Sequence, residues 1–371
     1  MNNNLNKLIE KYNESFDFVN NSEHAEYFKW QAVQCFQREW FSKENEQLTF
    51  DKLLKAALSE SAVLIDNSTT HPANGAIKLA EIEPEKVEHL FRNLLFADDG
   101  GDLNARQDNI YQFMEDMEEI RKAEFPESWK YKQDDKHAAI TYLALYKPEE
   151  NYIYKYSVAE KFANYIEFGL DIGSGGSFSL SNYYKMCDEV VAALSEYPDL
   201  VKRHADFIDD TCYKDESLHL LAFDIIYCAS TYNFFNGMTH QPKKDVLKAY
   251  KLERLAEAER REKEVKIAEL LQKKEILENE IADTKEMSLL GVKVLHKANG
   301  EGIIVQQDDS QRSKVQVEFA EKTISLVIDR KFRMRPTFED DEEIVEMYTR
   351  YNEVWDEIKK TDKKIKAIGV V

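Results

Sequence analysis

The sequence lacks several features that would assign it to a class directly. No apolar run approaches the roughly 20 residues of a membrane-spanning helix, and the start, Met1 to Leu5, has neither the basic nor the apolar region of a signal peptide. There is also no Gly-x-x-x-x-Gly-Lys-Ser/Thr, the loop with which many proteins hold nucleotide phosphates. These absences favour a cytoplasmic protein without a membrane segment, and they give no support to nucleotide hydrolysis.

Cysteine is scarce as well, with four in 371 residues, widely spaced in apolar surroundings. This pattern fits reduced core thiols better than a disulfide framework. The cysteines are Cys35, Cys187, Cys212 and Cys228. The last two and two histidines, His204 and His219, do not have the short paired spacing of structural zinc ligands. No third group orients either imidazole as the base of a Cys/His nucleophile pair, so we expect no metal, cofactor or catalytic residue from this set.

Positive charge is scarce in the first two-thirds of the chain. Residues 1–242 hold 23 Lys and Arg against 42 Asp and Glu, a net charge of −19, whereas the whole chain carries −20. A surface this acidic repels a phosphate backbone. We therefore expect this region to bind a protein partner in preference to nucleic acid.

What the chain does contain is a large supply of core residues, with 43% hydrophobic and 12% aromatic side chains. Apolar stripes at helical spacing run from Leu5 to about Leu64, from Pro84 to Leu95 and from Asn109 to Ala123. The segment Leu218 to Cys228 is apolar on all sides and predicts a buried helix. We expect these stripes to form the core of the first domain.

The centre of this domain is predicted to be a small β-sheet. Ile140–Tyr146 is uncharged, apolar and aromatic, which indicates a buried strand, and Lys147–Asn151 has turn chemistry. Tyr152–Tyr156 favours a second strand. A helix is then expected from Ser157, an N-cap with Glu160 as its capping-box partner.

Three local patterns that resemble catalytic or ligand motifs are interpreted as structural. The acids of Asp98–Asp102 lack the ligand ladder of a calcium loop and predict a solvated turn. Gly169–Ser181 is rich in glycine but has no preceding strand and no Lys-Ser/Thr ending, which favours a surface loop. Glu264–Lys266 spells a nuclease motif but lies within a predicted helix. A metal-dependent nuclease built from distant residues stays open as an alternative.

The last third has a different organisation. Lys243 to about Thr284 is a Lys/Glu/Leu-rich helix without Gly or Pro, and Phe338–Ile368 keeps a better heptad pattern. Leu290–Pro336 between them alternates apolar and polar residues, as antiparallel strands do. The fold class is therefore α+β, mostly helical. The predicted parts are an acidic α+β recognition domain (1–242), a first arm helix (243–289), an SH3-like β-barrel (290–336) and a second arm helix (337–371), the helices forming an antiparallel coiled-coil arm.

The barrel region carries the densest positive charge. Residues 291–336 hold nine Lys and Arg against six Asp and Glu, and Arg330–Arg335 places four cations around Phe332. Such a run can contact phosphates and stack a base, although a charged edge strand also protects against aggregation. The predicted nucleic-acid-binding residues are Lys293, Lys297, Lys314, Arg330, Lys331, Arg333 and Arg335.

Two resemblances accompany these patterns. Val294–Ile304 resembles the first hairpin of SH3-like or Tudor-like barrels, which are appended to helicases and other proteins that handle nucleic acids. Residues 25–195 resemble the N-terminal region of McrB-type AAA+ proteins of restriction and antiphage systems. That similarity rests on five segments, Trp30–Trp40, Phe50–Leu58, His71-Pro72, Pro84–Leu94 and Ile140–Phe162. It implies a region that recognises targets or partners, here without the motor's phosphate-binding loop.

The function predicted from the sequence is that of a non-catalytic recognition or adaptor subunit of a bacterial antiphage or restriction-type defence system. It would bind nucleic acid, a separately encoded AAA+ motor or nuclease, or both, and would need no cofactor. The alternatives are a protein-binding scaffold that forms a homodimer through the arm, and the metal-dependent nuclease.

Overall fold

The computed structural model describes residues 3–283, 288–296, 298–308, 314–327, 334–335 and 342–369. The chain divides into two compact units, unit 1 (Met1–Leu252) and unit 2 (Glu253–Val371). Among the helices in these ranges, none combines the length and the apolar character needed to cross a bilayer. The domain boundaries expected at residues 242, 289 and 336 stay predictions.

All regular secondary structure in the described part of unit 1 is helical. Its α-helices are α1 (Asn4–Glu14), α2 (Phe16–Val19), α3 (Phe28–Trp40), α4 (Phe50–Ala57), α5 (Ala62–Ile65), α6 (Pro72–Ile82), α7 (Pro84–Leu95), α8 (Leu103–Glu124), α9 (Lys136–Tyr146), α10 (Tyr156–Tyr165), α11 (Leu180–Leu194), α12 (Pro198–Phe207) and α13 (His219–Thr231). Short 3₁₀ helices occur at Lys43–Gln47, Trp129–Tyr131 and Gly175–Ser177. The next helix, α14 (Lys243–Asp283), begins in unit 1 and continues into unit 2.

Two helices lie in the interior of unit 1 and are buried on every side. α9 packs against α3 and α8, and α13 packs against α1, α10 and α11. Every residue of 138–145 in α9 and of 220–226 in α13 is buried. A helix with no polar face can only be a core helix, and the amphipathic helices pack their apolar stripes around these two. One residue of the buried α13 run, Asp224, is charged.

The strand predicted over Ile140–Tyr146 is wrong, because this segment lies within α9. Burial on every face removes the periodicity that separates a helix from a strand. Alanine is the best helix former, and it occurs here at Ala138, Ala139 and Ala144. A count of apolar residues does not separate this helix propensity from hydrophobicity. The carboxylate of Asp135 caps the helix by accepting a hydrogen bond from the His137 N–H at 2.9 Å.

The second predicted strand, Tyr152–Tyr156, is wrong too. Residues 151–155 have no regular secondary structure, and α10 begins at Tyr156 with Lys155 as its N-cap. The helix therefore starts before Ser157, and no capping box forms there. Within residues 3–283 the structure contains no β-strand, so the α+β class is met through unit 2 alone.

Side chains from the surrounding helices hold this irregular segment instead of a partner strand. The Tyr183 hydroxyl donates to the Ile153 carbonyl. The two ring nitrogens of His137 face the carbonyls of Tyr154 and Leu64, the latter at 2.7 Å. The tyrosine hydroxyl satisfies a backbone carbonyl that would otherwise be buried without a partner, and the imidazole contacts hold the segment further.

Unit 2 contains a five-stranded antiparallel sheet in the order β4-β3-β2-β1-β5. The strands are β1 (Lys293–His296), β2 (Gly300–Gln307), β3 (Lys314–Phe319), β4 (Lys322–Val327) and β5 (Met334–Arg335). One face buries a small apolar core that includes Val294, Ile304 and Phe319. Gly302 lies in this face, where a Cβ would stand 2.7 Å from the Phe319 ring, so the close packing requires glycine.

The last helix, α15 (Glu342–Gly369), lies antiparallel to the second half of α14. Glu280 of α14 pairs with Arg350 of α15 at 2.6 Å, and Lys274, earlier in α14, pairs with Asp362, later in α15, at 2.7 Å. Between these pairs, Leu277 packs on a small apolar cluster formed by Tyr351, Val354 and Ile358. A heptad arm and a closed SH3-like barrel are finer descriptions than these contacts establish.

Candidate functional site

The seven predicted nucleic-acid-binding residues fall into two groups. Lys293 on β1 and Lys314 on β3 are exposed, and the backbone of Arg335 belongs to β5. The other four lie outside the described residues: Lys297, Arg330, Lys331 and Arg333.

Strand pairing brings part of this set together. Arg335 pairs with Leu295, two residues along β1 from Lys293. The basic run 330–335 therefore ends at the sheet edge formed beside β1. Lys314 lies two strands away near the opposite end of the sheet, roughly 16 Å from Lys293 by standard strand spacings.

The exposed side of the sheet near Lys293 carries charges of both signs. Lys293, Ile303 and Glu318 occupy one row across β1, β2 and β3. Together with Glu301 and Phe319 they line a hollow of about 420 Å³. Three apolar side chains on the outside of the sheet stay more than two-fifths exposed: Leu295, Ile303 and Val305. This face thus offers an apolar strip bordered by one lysine and two glutamates.

A second site, which the sequence did not predict, lies in unit 1 where three helices end. α3 ends at Trp40, α7 at Leu95 and α9 at Tyr146, and Phe41 and Phe96 directly follow the first two. The ends of α3 and α7 border a cavity of about 370 Å³, which we call the aromatic pocket, and Tyr146 at the end of α9 packs against its rings. Its lining consists of Trp40, Phe41, Ser42, Asn45, Glu46, Leu48, Phe50, Leu53, Glu88, Arg92 and Phe96.

Tyr146 orders the rings at the aromatic pocket. Its ring centroid lies 5.5 Å from that of Phe41, 5.3 Å from that of Phe96 and 6.4 Å from that of Trp40. Ring pairs at these separations attract each other. Phe41 and Phe96 nevertheless remain 56% and 48% exposed, so the rings are arranged without being buried.

The electrostatics of the aromatic pocket favour a cation. The Arg92 Nε donates to Glu88 Oε1 at 2.7 Å, and the Arg92 guanidinium lies 5.7 Å from the Phe96 centroid, so this arginine is already engaged. The carboxylate of Glu46 is exposed at the rim. The C-termini of α3 and α7 add partial negative charge, because their last carbonyls point along the helix axes.

Sequence reasoning missed the aromatic pocket because its most exposed rings fall just outside the helical stripes. The apolar pattern placed Trp40 and Phe50 on core stripes and Tyr146 in a strand. Phe50 is indeed buried, whereas Trp40 is half-buried at the pocket. The available signal was an aromatic residue one position beyond each stripe, Phe41 and Phe96.

The core of unit 1 contains a buried ionic cluster. Lys29, with no exposed surface, donates through Nζ to Asp224 Oδ1 at 2.6 Å and to the Glu26 carboxylate. The Tyr12 hydroxyl donates to Asp224 Oδ2 at 2.6 Å, and the Tyr232 hydroxyl donates to Glu26. Each carboxylate thus receives at least two hydrogen bonds, which offset the loss of its hydration.

This cluster also includes a thiol. The ligand atoms of Glu26, Asp224 and Cys228 lie within 4.8 Å of one another, a spacing that suits a metal ion. Here the Lys29 ammonium contacts both carboxylates and supplies the positive charge. Burial lowers the pKa of Lys29, but its acidic neighbours, Asp224 first among them, together outweigh burial and the net shift is upward. Burial and Asp224 raise the pKa of Cys228, so the thiol stays protonated and the cluster is a closed ion-pair network.

The residues weighed as zinc ligands lie in separate surroundings. They are His204, Cys212, His219 and Cys228. The His204 ring lies 4.6 Å from the Trp30 ring, the His219 ring lies 4.0 Å from that of Tyr152, and Cys228 belongs to the buried ionic cluster. Among the described residues, the structure does not gather these four into one ligand set.

The acidic and nuclease-like patterns have local structural roles. Asp99 pairs with Arg106 at 2.6 Å, and Asp102 caps α8 by accepting from the Asn104 N–H at 2.9 Å. Glu264–Lys266 lies on exposed turns of α14, where its lysine forms an ion pair four residues back along the helix.

The glycine-rich loop packs against the start of α14. Asp171 pairs with Lys243 at 2.7 Å, and the Lys243 cation lowers the pKa of this carboxyl. At Gly169 an added Cβ would collide with the Tyr250 ring. The loop therefore anchors α14 to the body of unit 1.

The buried ionic cluster predicts a strong effect of removing its cation. Lys29→Met leaves two carboxylates buried without their partner, so we expect the free energy of unfolding to fall by roughly 3–5 kcal/mol. Urea denaturation followed by circular dichroism measures it. The matched control is Lys78→Met, which removes an exposed pair with Glu81 and should change stability by less than about 1 kcal/mol. Equal effects of the two substitutions would contradict the assigned role of Lys29.

The buried imidazole predicts a pH dependence. Burial lowers the pKa of His204 to about 4, and the nearby Asp224 only partly opposes this. Between pH 6.5 and about 4 the unfolded chain binds a proton that the folded chain does not, so stability falls as the pH falls. The loss should reach about 3 kcal/mol from this residue. Denaturation of the native protein and His204→Phe at pH 7 and pH 4.5 measures it, and parallel losses in both proteins would exclude His204 as the source.

Searches of protein-family models, curated proteins and solved structures find no match to this chain. The resemblances to McrB-type N-terminal regions and to SH3-like barrels therefore stay hypotheses that rest on sequence patterns alone.

Proposed function

We propose that this chain is a non-catalytic recognition subunit of a bacterial antiphage or restriction-type defence system. Unit 2 contacts nucleic acid through its basic segment, and the acidic region of unit 1 docks a protein partner, a separately encoded AAA+ motor or nuclease. The proposal includes the finer architecture expected from the sequence. In it the sheet closes as an SH3-like barrel, carried on a coiled-coil arm of α14 and α15 that pairs within one chain or in a homodimer.

The observation that supports this proposal best is the pairing of β5 with β1. It places Arg335 opposite Leu295, next to the strand that carries the exposed Lys293. Basic residues separated by some forty positions in sequence thus meet at one sheet edge. The exposed apolar side chains of Leu295 and Ile303 lie there as well. Clustered cations bind nucleic-acid strands through phosphate contacts, and the aliphatic side chains beside them offer a surface for the faces of the bases.

The distribution of charge supports the same division of labour. Residues 1–242 carry a net charge of −19, whereas residues 291–336 carry nine cations and six anions. The acidic region repels phosphate and attracts basic surfaces. The sheet region is close to neutral as a whole, so it neither repels nor attracts either of them strongly. Nucleic acid is therefore expected at the local cluster 330–335 and a protein at the helical unit.

A protein-binding scaffold without nucleic-acid contact is the second candidate. Glu301 and Glu318 lie close to Lys293 around the hollow on the sheet, and they reduce the local positive potential. The exposed strip of Leu295, Ile303 and Val305 suits a protein surface equally well.

Charge reversal separates the two candidates. Arg330, Lys331, Arg333 and Arg335 are replaced together by Glu, and binding to labelled DNA and RNA strands is followed by gel shift over a salt series. We expect affinity to fall by roughly two orders of magnitude or more. On single strands, the slope of log K against log salt should flatten by about 0.7 for each phosphate that the variant no longer neutralises.

The matched control reverses four cations of α15 in the same way. They are Lys359, Lys363, Lys364 and Lys366, all exposed. This variant has the same net charge as the first, so a purely global charge effect would weaken both equally. Binding unchanged by the first variant would remove the segment 330–335 from nucleic-acid binding, and no retention of nucleic acid by the native protein at low salt would favour the scaffold.

A further inference from the structure

We infer that the aromatic pocket binds an arginine side chain presented by a basic segment of a protein partner. This inference rests on the proposed function in one respect, since it supplies the docking site by which unit 1 holds its partner. It identifies the class of that partner as basic and the anchoring residue as arginine.

Ring exposure is the first reason. Large aromatic side chains leave water when they can, yet Phe41 and Phe96, which both line one cavity, keep about half of their surface exposed. Tyr146 contacts both rings from behind. The rings are thus held in place before any ligand arrives, which lowers the entropy cost of binding.

Charge is the second reason, because it distinguishes arginine from the other planar groups that stack on aromatic rings. Nucleobases also stack on aromatic rings, but they arrive on a phosphate chain that the −19 charge of residues 1–242 repels. An aromatic peptide side chain would leave the exposed Glu46 carboxylate and the partial negative charge at the ends of α3 and α7 without a partner. A cation over the rings satisfies all of these groups.

The guanidinium of arginine fits better than the ammonium of lysine. It is planar, it stacks on aromatic faces, and it can donate two parallel hydrogen bonds to a carboxylate such as Glu46. The pocket already combines a guanidinium with a ring and a carboxylate, because its own Arg92 lies 5.7 Å from the Phe96 centroid and pairs with Glu88. The cavity of about 370 Å³ lies in the range of sites that enclose small ligands.

Fluorescence anisotropy of the full chain with labelled nine-residue peptides tests the inference. The probes are an all-arginine peptide and an all-lysine peptide of equal charge. We expect the arginine peptide to bind the native protein more tightly, by roughly tenfold. The double variant Phe41→Ala with Phe96→Ala should abolish this preference, and both residues are exposed enough for the fold to tolerate the change. Glu46→Lys should weaken the arginine peptide similarly.

Two control variants match these changes elsewhere on unit 1. Trp129→Ala removes an exposed aromatic ring outside the pocket, and Glu127→Lys makes the same charge change at an exposed site. Both should keep the arginine preference. Equal affinity of the native protein for the two peptides, or a preference that survives the double variant, overturns the inference.

Binding of a labelled single-stranded oligonucleotide is the last measurement of this test. If the double variant loses oligonucleotide binding, the pocket stacks bases and the arginine assignment is wrong. The four-residue reversal at positions 330–335 should leave the arginine preference unchanged. A failed peptide test with an intact gel shift would therefore remove this site and leave the proposed function standing.

Discussion

Unit 1 depends on one buried positive charge. Moving the Lys29 ammonium out of water costs several kcal/mol, which only well-placed partners offset. Those partners come from distant parts of the chain: Asp224 lies 195 positions away on α13, and the Tyr12 hydroxyl that orients it belongs to α1. A shift of any of these helices would leave a charge unpaired in the core. The cluster therefore favours one specific packing of the fold, since alternative packings of α1, α3 and α13 would separate its charges.

Helix α3 connects the buried ionic cluster to the surface of unit 1. α3 holds Lys29 near its first turn and Trp40 at its end, a distance of roughly 16 Å along the axis. Near that end, Gln37 donates to the carbonyls of Leu145 and Tyr146 at 2.5 and 2.8 Å, which joins the C-termini of α3 and α9. The position of the aromatic pocket thus follows from the core. Its rings converge because the helices that carry them are fixed at the other end.

The sequence predicts the elements that have one buried face. Where every face is buried, it predicts α13 as a helix but indicates a strand in place of α9, and it does not predict sites that combine distant residues. Amphipathic helices such as α7 and the alternating strand β3 reveal their buried faces through period 3.6 or 2. α9 is buried all round, so its apolar run fitted a strand equally well, and alanine content with tertiary packing decided for a helix. Neither the ionic cluster nor the aromatic pocket has a sequence motif. Lys29 and Asp224, like Phe41, Phe96 and Tyr146, meet only after folding.

All four thiols of the chain are buried, and burial raises the pKa of those at positions 187, 212 and 228. Reagents such as maleimides attack the thiolate at an accessible sulfur, so the folded protein reacts slowly throughout. A cysteine introduced beside the pocket, for example in place of Ser42, then becomes the single fast-reacting handle. A photo-crosslinker or dye can be attached there without removing any native thiol. The slow labelling rate of the remaining thiols then measures how often the core opens transiently.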